Sequence, residues 1–541
     1  MGKTAQALAQ RQWSSAELFA TSLAVILINF TVSLVCPTSH ILEDEIAFYD
    51  TIWRTVSGQR LGLDYHNPLG FAPFQVAALL WKAIGPYEHI LKLTNTLLVI
   101  PVAWLGCRAV RRYTALPPIF ALLAAIVIAF ELSAPNSFGF GIDPTKVGTT
   151  GFYNRISIAC LVVLFLHAFA GVNGTKALSW PALAREIAAG AMLLLFAFLF
   201  KISALAIGIF ILFAAILAYR NKVQGLLVAA GASVLASLLI WLVTLAFGIG
   251  LGNLAAEYAL AGKAKGVPGV VAIVQALFKD PLDALNIILV VFGLYILVRY
   301  DRRNWMLLSG VFVVCVGSTF LLNISNEYET IWLYPPAFAI MAAVALRGHG
   351  RQPEEEGKVR AMPWSSGIAL VPLTGFLVIL ANGIFGTGIA LASGLSVVSG
   401  LRDEYVVTGD RGIRFHTFCQ DEGCDYGRTI NEGVALLRKN GLEHEKIATL
   451  THSNPFPVLM LAPPHRGTQV WWNFGFNVPK DAVLTWKDVL GDATVVMVPL
   501  TGDYPHVREK LLSTVQARLD SDFELVFADS EWKIYRQRKG N

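Results

Sequence analysis

Apolar residues occur along this chain in blocks too long and too continuous to be the buried stripes of a soluble protein. Such blocks fall at roughly 17–36, 90–107, 115–133, 155–171, 187–200, 202–219, 226–247, 284–299, 306–323, 331–346 and 366–392. A bilayer core about 30 Å thick is crossed by about 20 apolar residues in a helix, which satisfies its own backbone polar groups. The pattern therefore predicts a polytopic α-helical membrane protein with about eleven transmembrane helices. Residues 187–219 can be read as one long helix or as two short ones broken near Lys201.

The periodicity changes after about Ser393. "TINEGVALLRKNG" and "YPHVREKLLSTVQARL" carry helical spacing, whereas "KIATLT", "ATVVMVPL", "FELVFA" and "WKIYRQ" are short strand-like runs. Alternating elements of that kind predict a small α/β domain. The expected division is a transmembrane domain over 1–395 and an α/β domain over 396–541. Between the first two spans, residues 37–89 hold two amphipathic stretches, "EIAFYDTIWRTVSG" and "FQVAALLWKAIG", whose Phe, Tyr and Trp content suits helices lying at a membrane interface.

Composition agrees: of 541 residues, 55% are hydrophobic and 15% charged, well below the roughly 25% charged of soluble domains. Charge then orients the spans. From Gly400 onward 17 Lys and Arg face 19 Asp and Glu; the rest of the chain carries the basic excess, in short clusters beside apolar blocks. Lys3 and Arg11, Arg108 with Arg111 and Arg112, Lys176 with Arg185, and Arg220 with Lys222 form the first four. Arg299 with Arg302 and Arg303, then Arg347, Arg351, Lys358 and Arg360, continue the series.

Every cluster falls on one side if 187–219 is a hairpin with Lys201 at its outer tip, which favours the broken reading. The positive-inside rule then gives a cytoplasmic N-terminus and an extracytoplasmic C-terminal domain, as in a multi-pass protein of the bacterial inner membrane. No small-residue cleavage site follows the first block, and no basic face suits nucleic acid. Cys419 and Cys424 form a close pair in a polar segment, compatible with a local disulfide on the oxidising side.

The first outer loop opens with "SHILEDEIAFYDTIW", three acids in a row: Glu43, Asp44 and Glu45. A solvated loop would also be acidic, so position alone does not make them functional. The longer stretch "EDEIAFYDTIWRTVSGQRLGLDYHNPLGFAPF" resembles the first outer loop of GT-C-type integral membrane glycosyltransferases. Those enzymes take a sugar from a polyprenyl-phosphate donor, and a loop acid just after the first span is their usual base. The resemblance implies Asp44 as catalytic base, Glu45 as its supporter and Glu43 at the substrates; Asp64 and His66 would bind the acceptor or position the base, and His66 reads equally well as a loop-structuring residue. It requires no cofactor, although a divalent cation, Mg or Mn, on Asp44 and Glu45 is compatible with it.

Displacing a lipid phosphate from an anomeric carbon also needs cationic help for the departing group. Lys201 interrupts a long apolar stretch, a costly place for an ammonium unless it serves a function or lies at an interface. Arg155, in "TTGFYNRIS" with Tyr153, resembles the Tyr-Asn-Arg segment at this place in GT-C proteins; an interfacial anchor is the plain alternative. Lys146 in "IDPTKVG" is a third candidate for the phosphate, and Glu327 in "NISNEYETIW" for sugar or acceptor. The implied partners are a polyprenyl-phosphate-linked sugar, a glycan or lipid acceptor, and membrane lipids.

Two other classes remain. A transporter or flippase would show inverted repeats and paired broken helices, and no repeat is evident. An O-antigen polymerase or ligase would place Arg and His, rather than acids, in large outer loops. "WWNFG" has Asn473 where the oligosaccharyltransferase Trp-Trp-Asp pattern has Asp, which argues against transfer of whole oligosaccharides to protein.

Overall fold

The computed structural model describes residues 13–35, 42–67, 71–113, 118–137, 147–148, 152–170, 178–216, 219, 221–265, 291, 370–418, 423–501 and 504–538. The predicted spans at 284–299, 306–323 and 331–346 lie outside the described residues. So do Lys146, Glu327, Cys419 and the side chain of Cys424.

Helix α1 (Ser15–Val35) is followed by α2 (Leu42–Val56), the short strand β1 (Tyr65–His66) and α3 (Ala72–Ile84). The bundle continues through α4 (Ile90–Arg111), α5 (Pro118–Ser133), a two-residue pair β2 (Asn136–Ser137) and β3 (Val147–Gly148), and α6 (Phe152–Ala170). Then come α7 (Trp180–Phe200), α8 (Ile202–Ile216), α9 (Lys222–Ala246), α10 (Leu251–Lys265) and α11 (Leu370–Val398). Among the described residues five helices are long and apolar enough to cross a membrane: α1, α4, α6, α7 and α9.

Polar side chains tie the bundle where hydrocarbon would leave them unsatisfied. Asn29 of α1 donates to Ser133 Oγ of α5 at 2.8 Å, and Thr387 of α11 donates to Asn29 Oδ1 at 2.6 Å.

The chain does break at Lys201, whose backbone is extended (φ −156°, ψ 115°) between α7 and α8. The predicted short helix at 187–200 is in fact 21 residues, beginning at Trp180. Polar Arg185 and Glu186 end the hydropathic block without ending the helix. Glu186 is anchored by Arg112, 2.6 Å away on α4.

The C-terminal domain begins with a hairpin, β4 (Glu404–Thr408) and β5 (Arg414–Phe418), followed by α12 (Gly423–Lys439), β6 (Ile447–Thr449) and the single turn α13 (Phe456–Leu459). β7 (Thr468–Gln469), α14 (Trp486–Leu490), β8 (Val495–Pro499), α15 (Pro505–Asp522), β9 (Phe523–Ala528) and β10 (Trp532–Gln537) complete it. Its sheet has the order β6-β8-β10-β9, with β6 parallel to β8 and the other pairs antiparallel. β8 is buried along its whole length, which is why "VVMVP" is continuously apolar instead of alternating. Trp471 and Trp472 of "WWNFG" are buried in the domain interior.

Helix α2 does not lie exposed at an interface. Eleven of its fifteen residues are buried, including Asp50 and Arg54, because the C-terminal domain covers it. The covering contacts are specific. Arg54 is paired with Asp50 at 2.8 Å, both side chains fully buried, and also donates to the His465 carbonyl at 2.5 Å. Gln59 donates to the Pro464 carbonyl (2.7 Å) and Trp53 to that of Ala462 (2.8 Å). β1 pairs in parallel with β7, placing His66 beside Gln469. Residues 53–66 and 462–470 thus form one hydrogen-bonded seam.

Candidate functional site

The three acids open α2, where negative charge complements the positive end of a helix. They do not share one environment. Glu43 and Glu45 are buried, whereas Asp44 keeps partial solvent contact. Asp44 is nevertheless enclosed enough that desolvation pushes its carboxyl from 3.8 up to about 7. A carboxylate poised near neutrality suits proton abstraction.

Helical spacing puts Asp44 and Phe48 on one face of α2, about 6 Å apart at Cβ. Phe48 meets the ring of Phe152, the first residue of α6, at 5.9 Å. Two residues on, the buried Asn154 accepts a hydrogen bond at 2.7 Å from Nζ of Lys201. Lys201 reaches this position because the break after Phe200 frees it from the α7 cylinder. Phe48, four residues after Asp44, thus packs on the start of α6, where Asn154 holds Lys201.

Arg155 also lies near enough to Glu131 of α5 for their charges to interact. Tyr153 packs edge-on against Phe152, 5.7 Å between ring centres.

Asp64 and His66 do different work within the loop. Asp64 accepts the Arg60 backbone N–H at 2.9 Å and lies 3.8 Å from Arg466, so it shapes the turn and touches the C-terminal domain. His66 is joined through Nδ1 to Glu257 of α10, and this hydrogen bond holds its imidazole above the ordinary histidine range against the opposing effect of burial. Glu257 and Asn154 were not singled out from sequence. Asn154 stood beside a recognised arginine, but nothing in "LGNLAAEYALAGKAK" marks Glu257 as the partner of a histidine almost two hundred residues earlier.

Among the described residues no group of three or more His, Cys, Asp and Glu side chains is arranged to hold a metal ion.

No family model and no curated protein matches the chain. Among solved structures it is similar to ArnT from Cupriavidus metallidurans in the apo state, with 12% identity and a TM-score of 0.49 over 95% of this chain and 97% of that one. Likeness at that level assigns neither a family nor a chemistry.

Proposed function

We propose that the chain is a membrane glycosyltransferase that moves a sugar from a polyprenyl-phosphate donor to a glycan or lipid acceptor on the extracytoplasmic face of the bacterial inner membrane. The carrying observation is Asp44: a carboxylate whose burial raises it to about 7, at the head of a helix that packs through Phe48 on the start of α6, where Asn154 accepts a hydrogen bond from Lys201. The loop's resemblance to GT-C enzymes agrees with this placement.

In the reaction Asp44 takes the proton of an acceptor hydroxyl. The oxygen's electron pair forms the new bond to the anomeric carbon, and the bond from that carbon to the phosphate oxygen breaks. Its electrons leave on polyprenyl phosphate. Lys201 and Arg155 face the departing charge, the guanidinium being able to fork onto two phosphate oxygens. Lys201 rests on the neutral Asn154 amide and Arg155 lies near Glu131. Binding donor exchanges these protein partners for phosphate.

The test is transfer from a panel of polyprenyl-phosphate sugars by the purified protein in proteoliposomes. Wild type should release polyprenyl phosphate together with glycosylated acceptor, and Asp44→Asn should lose about 10²–10⁴ in rate. Full activity in Asp44→Asn would remove Asp44 as the base.

A further inference from the structure

Helix α10 presents one face to the first loop. Asn253 and Glu257 are four residues apart and project from the same side. Gly62 has φ +76°, and a Cβ built on it would stand 2.8 Å from Cβ of Asn253. That approach tolerates only glycine, and it fixes the loop turn against the helix. Four residues after Gly62, His66 meets Glu257. The two contacts therefore repeat with matching spacing along loop and helix.

The pair is asymmetric. The Glu257 side chain is 5% exposed and that of His66 is 37% exposed. Nδ1 is occupied by the buried carboxylate, so Nε2 is the ring nitrogen left for another partner. On its other side His66 is fixed by β1–β7 pairing, and Val470 N–H donates to its carbonyl at 3.1 Å. Asn67, the next residue, donates to Thr51 Oγ1 of α2 at 3.0 Å, which ties this end of the loop to α2 about two helical turns past Asp44. Phe71 packs on Phe198, one turn before Lys201.

We propose that Glu257 is a positioning residue of the transfer site: it fixes the ring of His66 so that Nε2–H points to an oxygen of the bound substrates. This rests on the glycosyltransferase reading for the identity of the substrate, but not for the pair itself. Glu257 accepts from Nδ1–H, and the imidazolium it favours donates from both nitrogens. The charged groups acting on His66 are Glu257 and, from α14, Asp488; both favour the protonated ring.

The pair and the reading are tested separately. Carbethoxylation of His66 in the intact, detergent-purified protein, followed by mass spectrometry of its peptide across pH, reports the ring's titration without any substrate. In Glu257→Gln the midpoint should move down relative to wild type, because the hydrogen bond and charge that favour the protonated ring are lost. An unchanged midpoint overturns the proposal. In the transfer assay, Glu257→Gln should raise KM severalfold with a smaller effect on kcat, and should move the alkaline limb of the rate profile down with the His66 midpoint. Glu257→Asp should recover part of both. A shifted midpoint with an unshifted alkaline limb also overturns the positioning role, whereas no transfer in wild type defeats the glycosyltransferase reading and leaves the His66 titration to decide the pair.

Discussion

Replacing Asp44 by Asn should cut activity by about 10²–10⁴ and, unusually for a half-buried polar position, stabilise the protein. Folding raises the carboxyl from 3.8 to about 7 through desolvation. Each unit corresponds to 1.36 kcal/mol, giving an upper limit of about 4 kcal/mol of destabilisation once Asp44 is ionised. Asp44 retains some solvent contact, and screening reduces the expected value to about 1–2 kcal/mol.

The direction follows from linkage. Between 3.8 and about 7 the folded state binds the Asp44 proton more tightly than the unfolded state. This contribution therefore favours folding at low pH, declines as pH rises through that window and is flat above it. Asparagine cannot ionise and should be free of the decline.

Thermal unfolding of the detergent-purified protein at a series of pH values measures the effect. For a chain of this length about 1 kcal/mol corresponds to roughly 1–2 °C, since the shift scales inversely with unfolding entropy. The Asn variant should match wild type near pH 4, draw ahead as pH rises, and melt a few degrees higher above neutrality. A variant that melts lower than wild type above neutrality, with the same pH slope, would refute the reasoning and make Asp44 a stabilising polar contact.

Three further outcomes follow from other parts of the structure. Arg54→Met leaves Asp50 buried without its partner and severs the bond to the His465 carbonyl, so it should cost about 3–5 kcal/mol, seen as a lower melting temperature and faster proteolysis. His452 is fully buried, stacked on Tyr504 and held neutral by desolvation, its pKa pushed down to about 3. The unfolded chain then binds the proton first, so stability should fall as pH drops below about 6.5. His452→Gln should weaken that dependence, with the neighbouring Trp471 as fluorescence reporter. Lys201→Met should lower kcat by about 10²–10³ by removing a donor to the departing phosphate, while its melting temperature stays near that of wild type.

Much of the helical architecture was legible because long apolar runs report residues withdrawn from water directly. α1, α4, α5, α6 and α9 sit where apolar blocks predicted them. Charge placement also singled out the break at Lys201. Where hydropathy misled, as at the start of α7, a salt bridge between Glu186 and Arg112 was supplying the missing compatibility.

The seam was not legible. β1 and β7 are two residues each, too short for any alternation, and their partners lie about four hundred residues apart. Nor was the burial of α2, since "EIAFYDTIW" has the amphipathicity of an interfacial helix whether lipid or a domain covers it. The site followed the same division. Lys201 was conspicuous as a charge inside an apolar stretch, whereas Asp44 and Arg155 were singled out only by the resemblance of their segments to those of GT-C enzymes. Glu257 was hidden because an acid on an otherwise ordinary helix gains meaning only from the histidine that the fold sets against it.

The central claim is that a carboxylate with a raised pKa removes the acceptor proton, and the pH dependence of single-turnover transfer tests it most directly. With donor and acceptor bound, the wild-type rate should fall about tenfold per pH unit below about 7, as Asp44 becomes protonated. Asp44→Asn should show a low residual rate without that limb. A wild-type rate that stays level well below neutrality, or an Asn variant that keeps the same acidic limb, would contradict the account.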